Sequence, residues 1–171
     1  MRRRLRAVRL AAPFAALALA ACGYTFGSGL RERGLRTVAL TLVGNETWRQ
    51  RLEVELSAAL ARELPVSTDL RLATAAQADA TLEVTIAEAK ERTLVPGATP
   101  VLEGTLAAAV SMRLVGRDGK PLLERVLLDR TEFRDPIGEN LTSARAELAN
   151  DLARKIALAL DGRALRAGTG R

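Results

Sequence analysis

The chain reads as a two-layer α/β sandwich of the α+β kind: a mixed four- to five-stranded sheet with two helices packed on one face. Three observations predict it. Segments of alternating hydrophobicity recur at 37–43, 80–90, 102–114 and 122–133. Two segments of helical period, 47–64 and 136–160, each carry one apolar stripe. Their order is strand, helix, strand, three-strand meander, helix. Strands with one apolar face and helices with one apolar stripe bury those sides most simply as two layers.

In the first strand, 37–43, Val38, Leu40 and Leu42 alternate with Thr37, Ala39 and Thr41. Gly44-Asn45-Glu46 reads as a turn. Thr47 and Gln50 have capping-box spacing, so the first helix is expected to start there. Its stripe is Leu52, Leu56, Ala59, Leu60 and Leu64, and Pro65 is expected to end it. A short strand around Leu70 and Leu72 follows, and strand–helix–strand order allows a parallel crossover. The next strand, 80–90, turns Leu82, Val84 and Ile86 inward. Pro96-Gly97 and Pro100 make 92–101 a loop.

From Leu102 to Leu114 the alternation is long, with Leu106, Val110, Met112 and Leu114 opposite Glu103, Thr105, Ser111 and Arg113. Arg117-Asp118-Gly119-Lys120 is a hairpin turn. In the returning strand, 122–133, Leu122-Leu123 and Leu127-Leu128 put apolar residues on both faces. A bulge, a partner-covered outer face or shifted boundaries each account for that. Asp135-Pro136 is expected to start the last helix, whose stripe is Leu141, Ala144, Leu148, Leu152, Ile156 and Ala159.

The amino-terminal stretch has a different logic. Arg2, Arg3, Arg4, Arg6 and Arg9 precede an uncharged apolar run, Leu10 to Ala21, which ends in small residues before Cys22. This is the layout of a secretory signal with a small-residue cleavage site. Its twelve residues fall short of the roughly 20 a membrane-spanning helix needs. Leu19-Ala20-Ala21-Cys22 resembles the lipobox of bacterial lipoproteins, which implies a covalent lipid on Cys22 and an acylated new amino terminus. More than one acyl chain is what durable anchoring requires. The alternative is a free thiol behind an uncleaved leader. Gly23 after the cysteine favours the outer membrane within that resemblance. The chain thus divides into a cleaved leader (1–21), a lipidated lead-in and short tether (22–36), one domain (37–160) and a loose basic tail (161–171).

The formal charge of +6 is misleading as a sign of polyanion binding. Five of the 26 Lys and Arg lie in the leader and none of the 20 acids does, which leaves 21 bases against 20 acids. A nucleic-acid role loses its support. Chemistry is also thin. With no His, the commonest general base and metal ligand is missing. The one cysteine is claimed by the anchor, no phosphate loop occurs, and no catalytic residue, metal site or cofactor is expected. Arg92 in one loop, and Arg117 and Lys120 in the hairpin, are the ligand-binding candidates. A strand of this length sets the two groups about 40 Å apart, so they cannot serve one compact site.

Cys22-Gly23-Tyr24-Thr25-Phe26, the strand ending in Asn45-Glu46-Thr47, the Ala78-Asp79-Ala80 approach and the terminal helix resemble the lipopolysaccharide-assembly lipoprotein family, LptE, over residues 19–160. The resemblance implies a non-enzymatic outer-membrane lipoprotein of two-layer α/β fold. It implies a domain that plugs an LptD-like β-barrel translocon, assists its assembly and contacts lipopolysaccharide. Asn45-Glu46-Thr47 after a first strand also resembles envelope lipoproteins that activate penicillin-binding proteins or form part of secretion channels. Those activators reach their partners on long tethers, and the tether here is short.

Overall fold

The strand that organises the molecule is β4, Ala80–Thr93, because parallel and antiparallel pairing meet on it. The computed structural model describes Leu30 and residues 34–93, 103–134 and 139–161. The leader, Cys22, nearly all of the lead-in, Pro96-Gly97, Pro100 and the tail beyond Asp161 lie outside the described residues. The remaining elements are β1 (Thr37–Leu40), β2 (Gly44–Asn45), α1 (Leu52–Ser67), β3 (Arg71–Leu72), β5 (Glu103–Gly116), β6 (Pro121–Arg134) and α2 (Leu141–Leu160).

Five strands lie in the order β3-β1-β4-β5-β6, and β2 adds a sixth beside β4. β1 is parallel to both β3 and β4; β4, β5 and β6 form an antiparallel meander. The expected parallel crossover is therefore present, running β1–α1–β3. Both helices cover one sheet face. Leu56, Leu60, Leu148, Leu152 and Ile156 from the helices meet Val38, Leu82, Ile86, Val110 and Met112 from the strands, all at most 1% exposed. Each such side chain contributes about 1.5–3 kcal/mol on leaving water.

Four local expectations fail, each for a definable reason. β1 stops at Leu40, and Gly44-Asn45 is not a turn but the short strand β2, in register with Thr85 and Ile86. The chain steps out at Thr41, whose N–H and hydroxyl both reach the Leu82 carbonyl, and re-enters shifted in phase. Leu42 consequently points to solvent, 93% exposed, and Val43 enters the core.

The capping box at Thr47 does not form, because Asn45 takes that threonine. The Asn45 side-chain oxygen accepts from Thr47 N–H and hydroxyl, at 2.9 and 2.7 Å. α1 starts five residues after Thr47, behind Arg51 at φ 79°, a left-handed backbone that is unusual outside glycine. Pro65 lies inside α1 and does not end it. Only the N–H that would reach Ala61 is lost, Ala61 is exposed, and Thr68 closes the helix by donating to the Leu64 carbonyl. α2 starts at Leu141, later than expected, and the expected start at Asp135-Pro136 lies outside the described residues. Asn140 and Ser143 make a reciprocal capping box there that satisfies the first free N–H groups.

Two bulges set which side chains face out. Leu122 is the extra residue in β6 between the Leu114 and Val115 pairings, which explains its apolar doublet with Leu123. The doublet at Leu127-Leu128 has no bulge; Leu127 packs on the core and Leu128 is 69% exposed. In β4, Ala87 is skipped between Ile86 and Glu88. That extra residue reverses the phase of the strand. Leu82, Val84 and Ile86 point inward, and after the bulge Glu88, Lys90 and Arg92 share rows with the outer residues of β5.

Candidate functional site

The uncovered sheet face has two ends with opposite chemistry. At the end where β1 and β4 begin, Asp79, Arg117 and Lys120 are engaged within the fold. Asp79 accepts from the N–H groups of Arg36 and Thr37, both at 3.0 Å, and from the Thr37 hydroxyl at 2.8 Å. These hydrogen bonds, led by the Arg36 N–H, hold its carboxyl below the usual aspartate range, with Arg117 adding attraction. Arg117 donates to the Ala78 carbonyl through Nε and Nη2, at 3.1 and 2.9 Å, and to the Gln77 carbonyl. Lys120 pairs with Asp118 across the turn, 3.5 Å away. Ala78-Asp79-Ala80 is thus a staple joining β1, β4 and the β5–β6 hairpin.

Asn45 plays a similar part further along. It donates to the Arg49 carbonyl at 2.9 Å and to Glu53 Oε2 at 2.6 Å. Partial burial pushes the Glu53 carboxyl up, but hydrogen bonds from its own N–H, Asn45 and Arg51 outweigh this and lower it. The two polar segments that mark the sequence are structural.

The far end of β4 is different. Register places Lys90, Ala107 and Arg130 in one row, and Arg92, Thr105 and Glu132 in the next. Lys90 and Arg130 stand about 10 Å apart at two strand spacings. Ala107 between them, and Ala109 between Glu88 and Leu128 in the adjoining row, leave the floor low. Two adjoining hollows, of about 410 and 490 Å³, share Lys90, Ala107 and Arg130. Leu128 borders the first and Arg92 the second. Lys90 pairs with Glu88, whereas Arg92 and Arg130 have no acid within ion-pair distance among the described residues. Guanidinium groups in this state suit phosphate or carboxylate through paired, charge-assisted bonds.

Of the bases singled out in the sequence, Arg92 lies at this open end, inside β4 and not in the expected loop, because the strand runs on to Thr93 against β5; Arg117 and Lys120 lie at the stapled end. Twelve strand residues, Thr105 to Gly116, separate them. Lys90 and Arg130 were missed because only register and the Ala87 bulge bring them beside Arg92. The loop above the open end is also apolar at its tip, with Trp48 99% exposed. Among the described residues, no group of three His, Cys, Asp or Glu could hold a metal, and no helix is long and apolar enough to cross a membrane.

A one-sided sheet whose bare face carries cations at one end defines a binding or scaffolding module. The chain belongs to the lipopolysaccharide-assembly family LptE, whose family model matches residues 35–160. That family is one of non-enzymatic lipoproteins of the cell envelope. No curated protein matches the chain. The fold is shared with solved structures at low identity. Protein CT253 of Chlamydia trachomatis is 17% identical, with a TM-score of 0.55, covering 75% of this chain and 96% of that one. Protein XCC0632 of Xanthomonas campestris is 12% identical, with a TM-score of 0.52, covering 78% and 85%. A lipoprotein of Caulobacter crescentus is 15% identical, with a TM-score of 0.50, covering 75% and 93%. At these identities the likeness is one of fold.

Proposed function

We propose that the protein is an outer-membrane lipoprotein, anchored through lipid on Cys22, that plugs an LptD-like β-barrel translocon and assists its assembly. Family membership supports the partner class. The observation that carries the reading is the asymmetry of the sheet: the helices pack on one face, and among the described residues no element covers the other. A β-barrel lumen is lined by polar side chains, and the bare face, with its Thr, Glu, Ser and Arg rows, matches such a lining. In this reading the open end enters the lumen first. Arg92, with Lys90 and Arg130, then holds phosphate or carboxylate groups of lipopolysaccharide, while the leader-proximal end stays near the membrane.

Two experiments test it. Gentle solubilisation of envelopes, capture of the protein and mass spectrometry should recover a large β-barrel protein in stoichiometric amount. Recovery of a penicillin-binding protein or a secretion-channel subunit in its place overturns the barrel assignment. Replacing Cys22 by Ala should move the protein from the membrane to the soluble fraction without unfolding it; firm membrane retention of that variant refutes the anchor.

A further inference from the structure

β6 is the last strand of the sheet, and among the described residues no strand pairs with its outer side. It is 14 residues long, and a bare edge of that length is a template for another strand. Its residues also read as a charge palindrome about Leu127: Glu124-Arg125-Val126-Leu127-Leu128-Asp129-Arg130. We infer that this edge pairs, antiparallel and two-fold symmetric, with β6 of a second copy of the chain.

The backbone phase fits. Gly116 donates to the Lys120 carbonyl at the hairpin, so Gly116 and the alternate residues of β5 aim their backbone groups at β6. Their partners Arg125, Leu127 and Asp129 aim back at β5. Glu124, Val126, Leu128 and Arg130 therefore present N–H and C=O to the free edge. Side chains of the same copy already reach three of these groups. Arg125 donates to the Glu124 carbonyl, Lys155 to the Leu128 carbonyl, and the Arg130 N–H donates to Asp129.

Centred on Leu127, a second copy sets Val126 opposite Leu128, Glu124 opposite Arg130 and Arg125 opposite Asp129, each twice. Val126 and Leu128 are 65% and 69% exposed in the single chain, and pairing covers both. Arg125 and Arg130 have no acid within ion-pair distance among the described residues, and each gains one. Registers displaced by two residues lose this match; centring on Leu128 sets Glu124 against Glu132. Lys155 must share or release the Leu128 carbonyl, which makes it the guard of the edge.

The test is sedimentation of the full purified chain in detergent over a concentration series, read without any barrel partner or glycolipid, so that it stands apart from the proposed function. A concentration-dependent dimer is expected. Arg130→Glu sets acid against acid twice and should weaken the dimer about tenfold. Adding Glu124→Arg in the same chain restores opposite signs and should recover it. Val126→Pro removes an edge N–H that no strand of the same copy uses, and should abolish the dimer while far-ultraviolet dichroism and thermal unfolding stay near those of the parent. A chain that remains monomeric throughout overturns the inference. So does a dimer that all three variants leave unchanged.

Discussion

The two ends of the outer sheet face carry similar charges and use them differently. At the hairpin end, Asp79 and Arg117 are tied to backbone groups at the starts of β1 and β4. At the open end, Arg92 and Arg130 lie beside Ala107 with no acid paired to them among the described residues. A charge that closes the fold's own hydrogen bonds has little left to offer a ligand. A charge with no internal partner destabilises nothing while exposed, and remains available. Counting bases along the chain cannot separate these cases; their partners can.

The largest disturbance within this contrast comes from what lies beneath the open end. The Phe133 ring covers Gly104, its cross-strand partner, and is 3% exposed. Phe133→Ala should cost about 3–5 kcal/mol in denaturant unfolding. Gly104→Ala is milder but sharper in cause. A Cβ there would stand 2.5 Å from Phe133 Cζ and 3.2 Å from the Arg92 carbonyl, so the ring must move. A loss of about 1–3 kcal/mol is expected, and Gly104→Ala with Phe133→Leu should lose less than the sum of the two single changes.

Next come the charges themselves. Arg117→Ala should lower stability by about 1 kcal/mol, since it frees the Ala78 and Gln77 carbonyls. Arg92→Ala should stay within about 0.5 kcal/mol of the parent and act on lipopolysaccharide binding instead. Equal effects of the two on stability would erase the distinction between the ends.

The pH dependence should likewise belong to the stapled end. Asp79 and Asp118 both titrate below their ordinary range, Asp118 through the Lys120 N–H first. Their stabilising contribution is therefore full above the unfolded aspartate range and is lost as pH falls through the lowered folded values. Asp79→Asn should flatten that part of an acid titration of thermal stability, while Arg92→Ala leaves its shape alone. The smallest effect is expected at Arg51, whose φ of 79° suits glycine. Arg51→Gly relieves that strain and loosens the unfolded chain, so a change under about 1 kcal/mol is expected.

Much of the fold was legible because its signals are local. Long alternation defined β4, β5 and β6, and the stripes of Leu52 to Leu64 and Leu141 to Ile156 gave both helices their buried faces. The misreadings lie where a distant group outbids a local one. Thr47 has the spacing of a cap in the sequence, yet Asn45, held beside β4 by strand pairing, takes it. Pro65 reads as a stop because its lost N–H is a local fact, whereas tolerance of that loss follows from the exposure of Ala61. At the candidate site, Arg92 could be found as a charge near a loop. Lys90 and Arg130 could not, since they are 40 residues apart in sequence and meet only through strand register.

The sequence by itself determined the class of fold, the order of its elements, which faces are apolar and the absence of histidine side chains. All of these follow from periodicity and composition, which act over a few residues. Tertiary structure decided which charges are tied and which are free, through the register of three strands and one extra residue at Ala87. That choice depends on hydrogen bonds between strands far apart in the chain, and no short stretch of sequence encodes it.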